Sequence, residues 1–342
     1  MRTFIFIPPV RQATGGVAVL CALAAHLRSG GFEAALVLRE EGWRPAGPAA
    51  TAPLVAWKDL RLAPGDVWLV PEGWANALAP GLAAGARCLV YCQNQAFLFS
   101  SLPEGVDWRG LPVRMLAVSQ PVAFFIGQTL GLDCPVLRPG IDLSLFRAPE
   151  AKPPVGSGGP LRVACMPRKN KAVLDRVREA FTARAAGRPA AGKIQVEWLP
   201  IAGLDARGVA EALRSAHVFL ATGFPEGLGL PPLEAMACGC LPVGFGGFGG
   251  FDYMRQAALF PGAHAPWFPL REVAWAGNGL WCADNDILAA ALALETAAQW
   301  WLEGDARLSA ALAAGQATAQ AYSLERQREA VLALWASLRG KP

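Results

Sequence analysis

The sequence predicts an α/β protein made of two doubly wound parallel-sheet domains. Three observations carry this. Short apolar runs, of the kind buried on both faces of a parallel sheet, alternate with helical segments. The alternation occurs twice, with a stretch rich in proline and glycine between the two sets (148–160). The length, 342 residues, suits two domains of ordinary size.

In chain order, residues 3–7 form a β-rich run that stops at Pro8-Pro9, and Gly15-Gly16 opens a helical stretch over 17–28. Residues 34–38, 66–70, 88–92 and 115–119 read as further strands. After the break, 161–166, 194–199, 218–221 and 241–243 read as strands, and 172–186, 207–216 and 233–238 as helices. From 286 to about 338 the pattern is almost wholly helical. The expected division is a first domain over 1–147, a linker over 148–160, a second domain over 161–321 and a closing segment over 322–342.

Composition excludes several classes. Hydrophobic residues make up 53% and charged residues 17%, too apolar for a disordered chain. A net charge of +4 is too small to argue for a nucleic-acid partner and is compatible with an anionic ligand or a weak membrane-surface contact. The eight cysteines lack zinc-site spacing and sit in apolar runs, which implies free thiols in a reducing cytoplasm. The N-terminal apolar stretch is too short for a signal peptide, and no segment supplies the roughly 20 apolar residues of a membrane span. The expected location is cytoplasmic, at most peripheral to the inner membrane surface.

The most informative run extends from Phe224 to Val243. It follows a strand and opens a helix. Gly227 and Gly229 allow a sharp turn and close ligand approach, and Pro231-Pro232 suit a helix start. A helix N-terminus presents free N–H donors and partial positive charge, both suited to a diphosphate. Glu234, early in that helix, can accept two hydrogen bonds from a vicinal diol such as a ribose. Glu226, before the glycines, can reach sugar hydroxyls beyond the diphosphate.

This string resembles the donor-binding motif of glycosyltransferase family 4, retaining enzymes of the GT-B fold. Leu228 stands where that family commonly has an aromatic residue. Met166-Pro167-Arg168-Lys169-Asn170-Lys171 resembles its phosphate-binding segment: Arg168 matches the arginine, while Lys169 and Lys171 compete for the lysine role. Gly15-Gly16 looks like the family's glycine loop, residues 137–146 like its Gly-Ile-Asp stretch, and Tyr322-Ser323-Leu324-Glu325 like the start of a final helix returning to the first domain.

The resemblance implies two Rossmann-like domains facing a cleft and metal-independent transfer of a sugar from a nucleotide-diphosphate donor to a glycan or lipid-linked acceptor. It implies Glu226, Arg168 and Lys169 or Lys171 as catalytic groups. Glu234, the segment Gly227, Leu228, Gly229 and Leu230, and Gly15 and Gly16 would bind the donor. No cofactor or metal is expected beyond the nucleotide sugar itself, and the analogous setting is bacterial surface polysaccharide synthesis. A first-domain histidine common in the family is absent; the matching region reads Tyr91-Cys92-Gln93-Asn94-Gln95, so Gln93 or Asn94 would contact sugar or acceptor. That departure keeps a catalytically silent sugar-nucleotide-binding subunit in view, beside an epimerase or phosphorylase of the same fold.

Four further features invite assignment. Asp284-Asn285-Asp286 matches a metal motif of another glycosyltransferase fold but reads better as a helix cap. The run Gly244 to Tyr253 is glycine-rich and aromatic, and the resemblance implies that it lines the donor pocket. Residues 122–132, with Phe124 and Phe125, read as a core helix or a lipid-acceptor contact. Trp267, Trp275 and Trp281 are candidates for stacking on a sugar or base.

Overall fold

The computed structural model describes all residues except 10–14, 41, 43, 46–49, 187–194 and 340–342. In chain order the first set of elements is β1 (Thr3–Ile7), α1 (Gly15–Ser29), β2 (Ala34–Leu38), β3 (Leu54–Ala56), β4 (Val67–Pro71), α2 (Ala79–Ala83), β5 (Arg87–Cys92), β6 (Val113–Ala117) and α3 (Gln120–Leu130). The second is β7 (Leu161–Cys165), α4 (Lys171–Ala186), β8 (Val196–Pro200), α5 (Ala206–Ser215), β9 (Val218–Ala221), α6 (Leu230–Ala237), β10 (Leu241–Phe245), β11 (Leu280–Cys282), α7 (Ile287–Glu303), α8 (Ala306–Ala321) and α9 (Leu324–Arg339).

These form two compact units, Met1–Gly140 with Leu324–Pro342, and Ile141–Ser323. The first holds a six-stranded sheet of order β3-β2-β1-β4-β5-β6, and the second a five-stranded sheet of order β11-β10-β9-β7-β8. Every pairing between neighbouring strands in both sheets is parallel. Parallel strands must be covered on both faces, which is why β1, β4, β9 and β10 are buried at every residue. In each unit the strand order reverses once: between β1 and β4, and between β7 and β9. A ligand crevice in a doubly wound sheet opens beyond the carboxyl ends of the strands that flank such a reversal.

Helix α9 belongs to the first unit, where it packs on α1. The buried Trp335 donates from Nε1 to Thr3 Oγ1 at 2.8 Å, and Leu332 fills the space beside Gly30, where a Cβ would lie 2.2 Å from its Cδ2. In the second unit the alanine-rich α7 is buried on several sides, at Ala289, Ala290, Ala293, Leu294 and Ala297 among others, against α4, β10 and β11. Small side chains let helix and sheet approach closely there. The stretch 148–160 lies in this unit and is tied down. Lys152 Nζ donates to the carbonyls of Leu213 (3.0 Å) and Arg214 (3.1 Å). The fully buried His217 accepts from the Arg162 N–H at Nδ1 (2.9 Å) and lies 2.8 Å from the Pro153 carbonyl through Nε2. That pattern holds the imidazole neutral with its proton on Nε2.

The structure differs from the sequence expectations at a few elements. Strands β3 and β11 were not expected; each has three residues, too few to show a period. The strand expected at 194–199 is β8, and its first residue, 194, lies outside the described residues. Helix α6 starts at Leu230 rather than 233, because Gly229 takes a φ of 79° and serves as N-cap. All eight cysteines are buried and free, and no helix among the described residues is long and apolar enough to cross a membrane.

Candidate functional site

The predicted residues of the second unit gather at the carboxyl edge of its sheet, at the reversal between β7 and β9. After β7 the chain makes a tight turn through Pro167, Arg168, Lys169 and Asn170 before α4 begins. Asn170 sits at a φ of 56°, a conformation asparagine tolerates better than most residues. Its backbone carbonyl accepts from Val173 and Leu174, both at 3.0 Å. Its side-chain Nδ2 donates to the carbonyls of Thr222 (3.0 Å) and Phe224 (2.9 Å). One residue thus starts α4 and fastens the β7 turn to the loop after β9. Sequence reasoning passed over Asn170.

The fastening brings Lys169 to Glu226: Nζ and Oε1 lie 2.5 Å apart. Lys171, the alternative lysine, is the first residue of α4 and pairs instead with Asp175 one turn on, at 2.5 Å and largely exposed. The geometry therefore joins Lys169, not Lys171, to the glutamate loop. Arg168 is exposed on the turn, and its guanidinium makes no hydrogen bond or ion pair with any described residue.

Glu234 is the fifth residue of α6, one turn further in than its start at Leu230. It is half-buried, its carboxylate has no hydrogen-bond partner among the described residues, and burial pushes its pKa up to about 7. The early helix start corrects one expectation. Pro231 and Pro232 occupy the second and third helical positions and carry no N–H, so the first turn of α6 offers the amide of Leu230 but not a full cradle of donors. The helix dipole remains. Leu228 is 4% exposed, so its side chain is core and only its backbone can meet a ligand.

The glycine-rich run after β10 closes on the Glu226 loop, backbone against backbone. The Glu226 N–H donates to the Gly247 carbonyl (2.8 Å), and the Gly249 N–H donates to the Glu226 carbonyl (2.9 Å). A Cβ on Gly249 would lie 1.9 Å from the Gly227 oxygen, so that position admits glycine alone. Between them Phe248 takes φ 72° and ψ −64° while the Gly249 N–H reaches the Gly247 carbonyl at 3.0 Å. This is a three-residue γ-turn of the rarer, strained hand. Asp284 supports it by accepting from the Gly247 N–H at 2.8 Å. Asp286, not Asp284, caps α7, accepting from Ala289 at 2.9 Å. No group of three or more His, Cys, Asp or Glu side chains among the described residues could hold a metal ion.

A polar network supports the N-cap of α6 from behind. The fully buried Tyr253 donates from its hydroxyl to the Gly229 carbonyl at 2.6 Å. Burial pushes its phenol well up, and the charges of Tyr322, Glu226, Asp252 and Glu234 add to the effect. Trp275 Nε1 (2.8 Å) and Asn278 Nδ2 (2.9 Å) donate to the Tyr253 carbonyl. Trp281 is fully buried in β11 and unavailable for stacking, whereas Trp267 is 76% exposed.

In the first unit, Gly16 lies beside the loop after β5: a Cβ there would stand 3.1 Å from Gln93 Oε1, while Gly15 faces open space. The organiser of that loop is Glu72, which follows β4. It is 5% exposed, and its two oxygens accept from the N–H groups of Gln93 and Asn94, both at 2.9 Å. Burial pushes its pKa up to about 7 against those two bonds. Beside the loop Phe97 and Phe99 are about half exposed, and Phe99 meets Phe125 of α3 edge-on at 6.3 Å. Helix α3 buries Val122, Ile126 and Leu130, so its apolar face serves the core.

No protein-family model and no curated protein matches this sequence. Solved structures do. The sucrose-phosphate synthase of Thermosynechococcus elongatus matches with a TM-score of 0.63 at 14% identity, over 99% of this chain and 99% of that one. A pneumococcal O-GlcNAc transferase, solved with UDP and GlcNAc, matches at 0.61 and 11% identity over 100% and 99% of the two chains. The catalytic domain of starch synthase IV from Arabidopsis thaliana, bound to ADP and acarbose, matches at 0.61 and 12% over 99% of each. These are GT-B glycosyltransferases. The chain has the GT-B fold. At such identities the likeness speaks for the fold, and the reading of the site rests on its own residues.

Proposed function

We propose that this protein is a retaining glycosyltransferase of the family-4 type. It moves a sugar from a nucleotide-diphosphate donor to a glycan or lipid-linked acceptor in bacterial surface polysaccharide synthesis. The observation that carries the reading is the placing of an open Arg168, the Lys169–Glu226 pair and an unpartnered Glu234 around one strand-order reversal. The neighbours solved with UDP and GlcNAc, and with ADP and acarbose, support a nucleotide-linked sugar as ligand.

In this mechanism the second unit holds the donor. Glu234 accepts two hydroxyl hydrogens from the ribose diol, which satisfies a carboxylate that the fold leaves unpaired. The dipole of α6 and the amides near Gly229 face the diphosphate. As the bond between the anomeric carbon and the phosphate oxygen breaks, negative charge grows on the leaving group, and Arg168 with Lys169 stabilises it. Glu226, oriented by Lys169 and by two backbone bonds, fixes the transferred sugar through its hydroxyls. The acceptor hydroxyl attacks from the face the diphosphate leaves and passes its proton to a donor phosphate oxygen. The cations take the place that a divalent metal holds in other transferases, and no further cofactor enters. In the first unit, the Gln93–Asn94 loop held by Glu72 serves the acceptor or the sugar.

The test is a calorimetric panel of UDP-, GDP-, dTDP- and ADP-sugars, with and without chelator. One class binds in the micromolar range with or without chelator. Glu234→Ala weakens that class by at least about 100-fold, the lower bound for two hydrogen bonds to a charged group. Binding of no nucleotide sugar, or indifference to Glu234→Ala, overturns the reading.

A further inference from the structure

Beyond Glu226, two polar side chains reach the same end of the second sheet from other strand ends. Asp284 follows β11, and one of its oxygens is spent on the Gly247 N–H at 2.8 Å. Gly247 in turn sits against Glu226: a Cβ on it would lie 2.7 Å from the Cβ of that glutamate. His264 is set beside the end of β11 by an antiparallel bridge between Ala263 and Cys282 and by its N–H, which donates to the Trp281 carbonyl at 3.0 Å. Its ring packs on Phe251 at 5.5 Å. The three are close enough to interact electrostatically: burial raises the pKa of Asp284, the Gly247 N–H and His264 oppose that, and Glu226 adds to it.

Each keeps hydrogen-bonding capacity in hand. Among the described residues nothing engages the second oxygen of Asp284, the second oxygen of Glu226 or the ring nitrogens of His264. Lys169 matches the charge of Glu226, whereas Asp284 has no lysine or arginine ion-pair partner among the described residues. The cluster is therefore rich in acceptors and holds one imidazole.

We infer that Asp284 and His264, with Glu226, read the transferred sugar and restrict it to a neutral, hydroxyl-rich glycosyl group, excluding uronosyl donors. This rests on the proposed donor site. Hydroxyls at adjacent ring positions satisfy two carboxylates and an imidazole. A carboxylate on the sugar meets the like charge of Asp284 and Glu226, and like-charge juxtaposition selects against a ligand more strongly than a lost contact does. The bond to Gly247 gives Asp284 a structural task as well, and the isosteric amide separates the two roles, because asparagine keeps an acceptor oxygen for that N–H.

The experiment measures dissociation constants for two matched pairs, UDP-glucose against UDP-glucuronate and GDP-mannose against GDP-mannuronate, with the free nucleoside diphosphates as reference. The wild-type protein prefers the neutral member by at least about tenfold. Asp284→Asn narrows that preference to within about threefold by gaining affinity for the uronosyl donor. His264→Ala weakens the neutral donor several-fold without restoring the uronosyl one. Equal wild-type affinity within the binding pair overturns the inference, and so does an Asp284→Asn ratio identical to wild type. In both cases the free diphosphate still binds and still depends on Glu234, so the donor-site reading stands. Loss of the inference together with that reading shows as no binding of the free diphosphates.

Discussion

The carboxyl edges of the two sheets share a topology and differ in how they use charge. In the second unit, ionised groups are held at the surface by backbone clamps: Asn170 ties the Arg168 turn to the Glu226 loop, and Gly247 and Gly249 fix Glu226 by its own peptide groups. Among the described residues, Arg168 and Glu234 have no side-chain hydrogen-bond or ion-pair partner. In the first unit the relation is inverted. The buried Glu72 spends both oxygens on the amides of Gln93 and Asn94, so an ionisable group organises backbone and the side chains presented are neutral amides. One edge uses backbone to present charge, and the other uses charge to present backbone. The first suits a ligand that carries its own charge, and the second a neutral one.

The sharpest way to break this contrast is Arg168→Ala. The exposed guanidinium contributes nothing to the packing, so thermal stability stays at the wild-type value. Turnover falls roughly 100- to 1,000-fold, more than donor affinity does, because leaving-group charge peaks in the transition state. Steady-state kinetics beside calorimetry checks the split, and an equal loss in both quantities would mean plain ground-state binding.

Next in size is the pH dependence of donor binding. Glu234 titrates at about 7 in the free protein, and a diol engages its ionised form. Below that pH a proton must leave before the donor binds, so affinity drops by about tenfold per unit as pH falls from 7 to 5. Above 7 it is flat. Glu234→Gln removes the slope, as a calorimetric pH series will show.

Glu72→Gln tests the other edge. The glutamine amide donates where one of the two backbone N–H groups also donates, and the mismatch costs about 1–3 kcal/mol of stability. The sign of the accompanying pH effect is fixed. A carboxyl at about 7 in the folded state and 4.5 unfolded binds more protons when folded. Wild-type stability therefore declines as pH rises from about 4.5 to 7, and the variant loses that component. Chemical denaturation at pH 5 and pH 7.5 measures both.

The smallest effect is at Tyr253. Its hydroxyl serves the carbonyl of Gly229 alone, so Tyr253→Phe weakens the donor by about three- to tenfold through a looser α6 start, with about 1 kcal/mol of stability lost. Unchanged donor affinity would show that the N-cap of α6 is held well enough by the prolines.

How much of this was legible in the sequence depends on the distance over which each residue acts. Arg168, Glu226, Gly229 and Glu234 were singled out because they lie in short strings after strands, and those strings resemble family-4 motifs. The fold class was legible for the same reason: strands such as β1, β2 and β9 are continuous apolar runs. Asn170 was not, since its partners at Thr222 and Phe224 are 52 and 54 residues away. Nor was Glu72, which reads as a solvated loop acid until the amides 21 and 22 residues on are folded against it. Asp284 read as a helix cap, because nothing local separates it from Asp286, which is one. The choice between Lys169 and Lys171 needed the turn geometry, which sends the two side chains to Glu226 and Asp175 respectively.

The paired prolines of α6 carry a further consequence. A phosphate cradle made of main-chain donors grips by short-range contact and tolerates salt. In the proposed mechanism, with Pro231 and Pro232 contributing no donor, the hold on the diphosphate falls mainly to Arg168 and Lys169, both open to solvent. Forces between exposed charges fade over a screening length of about 8 Å at physiological ionic strength. Donor capture by that mechanism is therefore expected to follow the ionic strength of the surroundings, tight in dilute buffer and slack in brine.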